Sequence, residues 1–114
     1  MAKKKRVAAV RKSMWSSLRP GAANRTELSP IAFLPRAAEI YPQRLAVVHG
    51  KQRITYAQFF GRARRLASAL AKRGVKRGDV VAAMLPNVPA MLDVHYGVPM
   101  LGAVLNAINT RSEE

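Results

Sequence analysis

A chain of 114 residues has room for one small domain with a single core, and its 49% hydrophobic content excludes general disorder. It contains no cysteine, which rules out disulfides, thiolate metal ligands and cysteine nucleophiles. A net charge of +14 invites a polyanionic partner, yet residues 1–30, with eight bases and one acid, carry half of it.

Residues 1–26 contain no acid and close on Pro20-Gly21 and a further short polar run, which reads as a tail or an address segment. Lys3-Lys4-Lys5-Arg6 resembles a short nuclear-localisation cluster, and Val7 to Leu18 could form the basic, serine-bearing helix of a transit peptide. A solvated tail is the default reading. The expected division is a basic flexible tail over 1–28 and a partial α/β subdomain over 29–114.

Order is expected to begin at Ser29-Pro30, with Ser29 capping a helix whose first residue loses nothing by lacking an N–H. Ile31, Leu34, Ala37, Ala38 and Tyr41 recur at helical spacing, and Pro42 ends the run. Leu45 to His49 and Arg53 to Tyr56 are β-prone runs around Gly50-Lys51, the pattern of a hairpin with a two-residue turn.

Thr55 and Gln58 form a capping box ahead of the clearest helix in the chain. Phe59, Ala63, Leu66, Ala67 and Leu70 make one apolar stripe, with Arg62, Arg65 and Lys72 expected on the outer side. Gly74 ends this helix. Val80 to Leu85 is an unbroken apolar run, as in a parallel strand covered on both faces. Asn87 is expected to cap a helix over about 88–101, kinked or cut short at Pro99, and "AVLNAIN" reads as the last strand. Helix, hairpin, helix, strand, helix, strand is the order of an α/β layered fold with an unfinished sheet.

Chemistry is sparse along this chain. Asp93 and His95 stand two residues apart on a predicted helix and so face different ways, which disfavours a dyad. His49 and His95 read as surface or boundary residues, and Asp79 as a turn acid before a strand. The glycines at 74, 78, 97 and 102 match no phosphate-binding loop, and no nucleophile elbow occurs. The series Arg62, Arg64, Arg65, Lys72, Arg73, Lys76, Arg77 could face phosphates, but no aromatic residues interleave with it to stack on bases, so nucleic acid gains little support as a partner. No catalytic, cofactor-binding or metal-binding residue is assigned.

Residues 28–111 carry a longer signal. The segment "LSPIAFLPRAAEIYPQRLAVVHG", the Thr-Tyr entry at 55–56, "GVKRGDVVAAMLPNVPAM" and "HYGVPMLGAVLNAINTR" together resemble the opening of the adenylate-forming acyl-CoA synthetases, the AMP-dependent synthetase and ligase family. The last stretch is most similar to the fatty-acid and medium-chain carboxylate CoA ligase branch.

The resemblance implies activation of a carboxylic or fatty acid with ATP and magnesium to an acyl-adenylate, then transfer to CoA. The family's Ser/Thr/Gly-rich nucleotide loop and its C-terminal lysine have no counterpart in this sequence, so no cofactor is expected to bind this chain alone. Where the family continues with a leucine and an acid, the chain reads "NTRSEE". The expectation is therefore a truncated, inactive and self-associating part of such a ligase. A small basic module binding a protein or nucleic acid, or a regulatory fragment pairing with a full-length ligase, is the alternative. No stretch approaches the roughly 20 apolar residues of a membrane span, and a cytoplasmic location is expected, with mitochondrial or nuclear targeting through the tail as alternatives.

Overall fold

The computed structural model describes residues 21–110. The basic cluster, the transit-type helix and the last four residues lie outside them. The order of elements is α1 (Phe33–Ile40), β1 (Leu45–His49), β2 (Gln52–Thr55), α2 (Tyr56–Lys72), β3 (Val80–Met84), α3 (Pro89–Gly97) and β4 (Val104–Ile108). This is the expected α/β succession.

The chain enters α1 through one 3-10 turn, Pro30–Ala32, closed by the Ala32 N–H donating to the Ser29 carbonyl at 3.0 Å. The Ser29 hydroxyl makes no capping bond, contrary to expectation. Pro30 tightens the first turn so that the backbone carbonyl closes it instead. Helix α1 stops at Ile40, just before Pro42.

Strands β1 and β2 form the antiparallel hairpin, with His49 opposite Gln52 and a register shift between Leu45 and Val47. Gly50 supplies the positive φ, 57°, that the two-residue turn requires. Tyr56 is the first residue of α2 and no part of the strand, because the capping box starts the helix at once. The Gln58 N–H donates to Thr55 Oγ1 at 3.3 Å, and the Thr55 N–H donates to Gln58 Oε1 at 3.0 Å.

At the other end of α2 the Gly74 N–H donates to the Ala71 carbonyl and the Val75 N–H to the Leu70 carbonyl, with Gly74 at φ 92°. This is the Schellman arrangement, and glycine adopts the positive φ it requires at 74 without strain.

The core lies where α1, the hairpin and α2 meet: Leu34, Ile54, Phe59 and Ala63 are buried together. Phe59 meets Tyr96 of α3 edge-on, with centroids 5.4 Å apart. Where α2 and α3 cross, Gly97 is so close that a Cβ there would stand 3.0 Å from the Ala63 carbonyl oxygen. Only glycine permits that approach.

Helix α3 begins later than expected. Val88 is its N-cap residue, Pro89 occupies the first turn, and Asn87 makes no cap. Pro89 moves the start because the preceding residue is held extended. Pro99 ends the α-helical run at Gly97 and leaves a 3-10 turn, Pro99–Leu101, since it has no N–H to offer the His95 carbonyl.

Strands β3 and β4 run parallel in exact alternation of faces, Val80 beside Val104 through Met84 beside Ile108. Among the described residues they form a sheet of two strands, and the hairpin forms another. The two-sided cover expected of β3 is not supplied by these residues. Val80 and Met84 are each 65% exposed and Val104 55%, so one face of the pair is bare while Val81, Ala83 and Leu105 turn inward.

Candidate functional site

Parallel α/β sheets present ligands with a crevice beyond the carboxyl ends of their strands, and such a crevice exists here. A cleft of about 560 Å³ opens where β3 runs into Leu85-Pro86-Asn87 and β4 into Asn109-Thr110, with Met91 and His95 of α3 as its other wall. Its polar groups are the side chains of Asn87, His95, Asn109 and Thr110. The described lining holds no Lys, Arg, Asp or Glu.

His95 Nδ1 lies 2.7 Å from the Met91 carbonyl oxygen. That contact is a hydrogen bond when Nδ1 carries the proton, which leaves Nε2 as an acceptor. A second, mostly apolar cleft of about 280 Å³ adjoins the first and shares Asn87 and Met91 with it, bordered by Val47, Val48 and His49 of the hairpin. Both histidines therefore border neighbouring clefts, a juxtaposition that sequence spacing does not reveal.

Asp93 is 8% exposed, and it takes no part in this cleft. It faces α2, where Arg62 grips it from two nitrogens: Nη2 donates to Oδ2 at 2.6 Å, and Nε to Oδ2 at 3.0 Å and Oδ1 at 3.2 Å. Arg62, expected on the outer side, is thus a bridge between helices. The hydrogen bonds that Arg62 donates to Asp93 raise the Arg62 pKa; partial burial opposes the rise, and the Asp93 charge adds to it.

A signal for this pair was present in the sequence. Pro89, Asp93 and Gly97 recur every four residues and are all buried, so an acid in that row must find a donor across the helix interface. Asp79, as expected, is a turn acid: the Lys76 N–H donates to its Oδ2 at 2.7 Å. No group of three or more His, Asp or Glu residues able to hold a metal occurs among the described residues.

With Asp93 committed to Arg62, His95 has no orienting carboxylate among the described residues. The cleft can hydrogen-bond a small polar ligand, but its described residues do not assemble a nucleophile with a base.

The fold and this crevice are those of a partial α/β domain with a parallel strand pair, and comparison gives its family: residues 34–114 match the AMP-binding enzyme family, to which the chain belongs. It is 53% identical over 89 residues to the peroxisomal acetate/butyrate–CoA ligase AAE7 of Arabidopsis thaliana, a match covering 78% of this chain and 16% of that protein. Among solved structures, a fatty acyl CoA synthetase of Mycobacterium tuberculosis is similar at a TM-score of 0.68 and 37% identity, over 71% of this chain and 16% of that one. The o-succinylbenzoate CoA synthetase of Bacillus subtilis, in complex with its acyl-adenylate intermediate, is similar at 0.68 and 30% identity, over 77% of this chain and 23% of that one. The chain thus spans about 16% of the length of its curated relative, and its fold is part of the N-terminal α/β region of an adenylate-forming CoA synthetase. No helix among the described residues is long and apolar enough to cross a membrane.

Proposed function

We propose that the chain is a structural part of an ATP-dependent acyl-CoA synthetase acting on a carboxylic or fatty acid, and that it carries out neither half of the reaction alone. In the first half a carboxylate oxygen attacks the α-phosphorus of ATP and pyrophosphate leaves; in the second a thiol attacks the acyl carbonyl and AMP leaves. The observation that carries the synthetase reading is the 53% identity to an acetate/butyrate–CoA ligase over 89 residues.

The inactivity reading is supported by the cleft. Stabilising a triphosphate needs cations or a cradle of backbone N–H groups, and magnesium needs carboxylates. The described lining supplies none of these side chains, so no step is assigned to its residues. What this chain contributes is α3, held by Arg62–Asp93 and Gly97, as one wall beside the ends of two parallel strands.

Two measurements test the reading. The purified chain with ATP, magnesium, butyrate and CoA is expected to form no acyl-CoA above a control without protein; clear turnover overturns the inactivity. Residues 29–110 grafted in place of the matching segment of the acetate/butyrate ligase are expected to leave butyryl-CoA synthesis intact. A folded but inactive chimera overturns the structural assignment.

A further inference from the structure

Helix α2 and the loop after it carry bases that the fold leaves unused. Arg62 turns inward to Asp93, but Arg64, Arg65, Lys72, Arg73, Lys76 and Arg77 are all exposed, and none of these six has a carboxylate partner among the described residues. Helix α2 contains no acid, and Asp79, beyond it, accepts the Lys76 N–H.

Two of the bases are held in place. Arg65 Nε donates to the Gly61 carbonyl at 3.2 Å, and the Arg64 guanidinium carbon stands 5.5 Å from the centre of the Phe60 ring. Each anchor leaves further guanidinium N–H groups for an acceptor. A pocket of about 310 Å³ is lined by Gly61, Arg64, Arg65 and the hydroxyl-bearing Ser68.

The charge also constrains what can lie against this face. A neutral cover, from the same protein or another, would strand unpaired charges at a desolvation cost that nothing there offsets, so whatever meets the face is anionic. The exposed surface of α2 offers no large apolar side chain for insertion into a membrane. Phe60 is already stacked under Arg64, which leaves it no open platform for single-strand bases. Isolated surface ion pairs with an acidic protein contribute little. A row of bases without apolar anchors is best matched by a partner dense enough in charge to release counterions. Arg64 and Lys72 are separated by about 12 Å of helix, a span over which a nucleic-acid duplex carries about seven charges.

We propose that the outer face of α2 and the following loop bind the phosphate backbone of double-stranded nucleic acid. Arg64, Arg65 and Ser68 meet phosphates at one end, and Lys72, Arg73, Lys76 and Arg77 continue the contact. Gln58, the amide side chain of this helix, is held in the capping box, so the contact reads no base and is independent of sequence. It shares no residue with the strand-end cleft and does not rest on the synthetase reading.

Fluorescence anisotropy of a labelled duplex of about 20 base pairs, titrated with the full chain between about 50 and 200 mM salt, tests the proposal. The logarithm of the association constant should fall linearly with the logarithm of salt concentration. Arg64→Gln, Arg65→Gln and Lys72→Gln together should lower that slope by about 2–3 and weaken binding at least about tenfold at the lower salt, with an unchanged circular dichroism spectrum. Arg36→Gln, Arg44→Gln and Arg53→Gln remove the same charge from α1 and the hairpin, and should change the slope by less than about 1. Equal losses from the two triple variants overturn the site and assign binding to net charge and the basic N-terminal residues. Displacement of the duplex by phosphatidylserine vesicles or by polyglutamate, at equal charge concentration, overturns the nucleic-acid partner in favour of a lipid surface or an acidic protein. In the ligase carrying grafted residues 29–110, the α2 triple variant should lower the slope by the same amount; no difference there means that the rest of the enzyme covers the face, and overturns the site.

Discussion

Replacing Arg62 by Met leaves the Asp93 carboxylate 8% exposed and without its donor, whereas replacing Asp93 by Leu leaves a guanidinium that is already 36% exposed and can turn to water. The two substitutions should therefore differ in cost. Breaking a fully buried pair costs about 3–5 kcal/mol; here solvent reaches the arginine, and roughly 2 kcal/mol is expected for Arg62→Met against roughly 1 kcal/mol for Asp93→Leu. For a domain of this size the first corresponds to a fall in Tm of roughly 8–16 °C.

The double variant, with no charge left between the helices, should be less destabilised than the sum of the two. Urea unfolding followed by circular dichroism measures all three. An Asp93→Leu cost equal to or above that of Arg62→Met, or strict additivity in the double variant, refutes the account of Asp93 as the trapped partner. The arginine pKa is raised on folding, so the stability it contributes is present below its unfolded value and is lost only as pH rises through a still higher one. From about pH 6 to 9 its titration should add no slope to the stability of the wild-type chain.

Gly97→Ala would set a methyl 3.0 Å from both the Ala63 carbonyl oxygen and Leu66 Cδ2. The backbone oxygen cannot swing aside, so a loss of about 1–3 kcal/mol is expected in the same unfolding assay; an unchanged midpoint would mean that α2 and α3 separate freely. Val80→Lys with Met84→Lys charges the bare face of the parallel pair, where each residue is 65% exposed. Stability should stay within about 0.5 kcal/mol, while hydrophobic-dye binding and self-association by sedimentation velocity should fall. Unaltered dye binding would remove this face from any account of how the chain associates.

Local rules made most of the fold legible. The Thr55–Gln58 box, the Gly50 turn and the Gly74 stop each depend on residues within a few positions of one another, and each formed as read. What escaped was either a competition between neighbours or a contact far along the chain. Asn87 lost the cap to Val88 because Pro89 set the backbone before it, and the Ser29 hydroxyl gave way to the Ser29 carbonyl. Arg62 could not be paired with an acid 31 residues away from helical phase alone, since phase fixes the side of one helix and says nothing of which helix lies opposite. The clefts escaped for the same reason: His49 and His95 approach a common pair of residues only once the hairpin and α3 are placed.

The register of the parallel pair sets an order of events. Val80 meets Val104 and Met84 meets Ile108, a constant separation of 24 positions (104 − 80), whereas His49 meets Gln52 across a two-residue turn. The hairpin can close within about 1–10 μs of becoming free to do so, and α2 starts from the same Thr55 that ends it. Strands β3 and β4 must first close a loop containing all of α3, at an entropic cost that nothing local offsets in advance. Pairing of β3 with β4 is thus the late step, and changes in β4 should act on how fast the chain unfolds and hardly on how fast it folds.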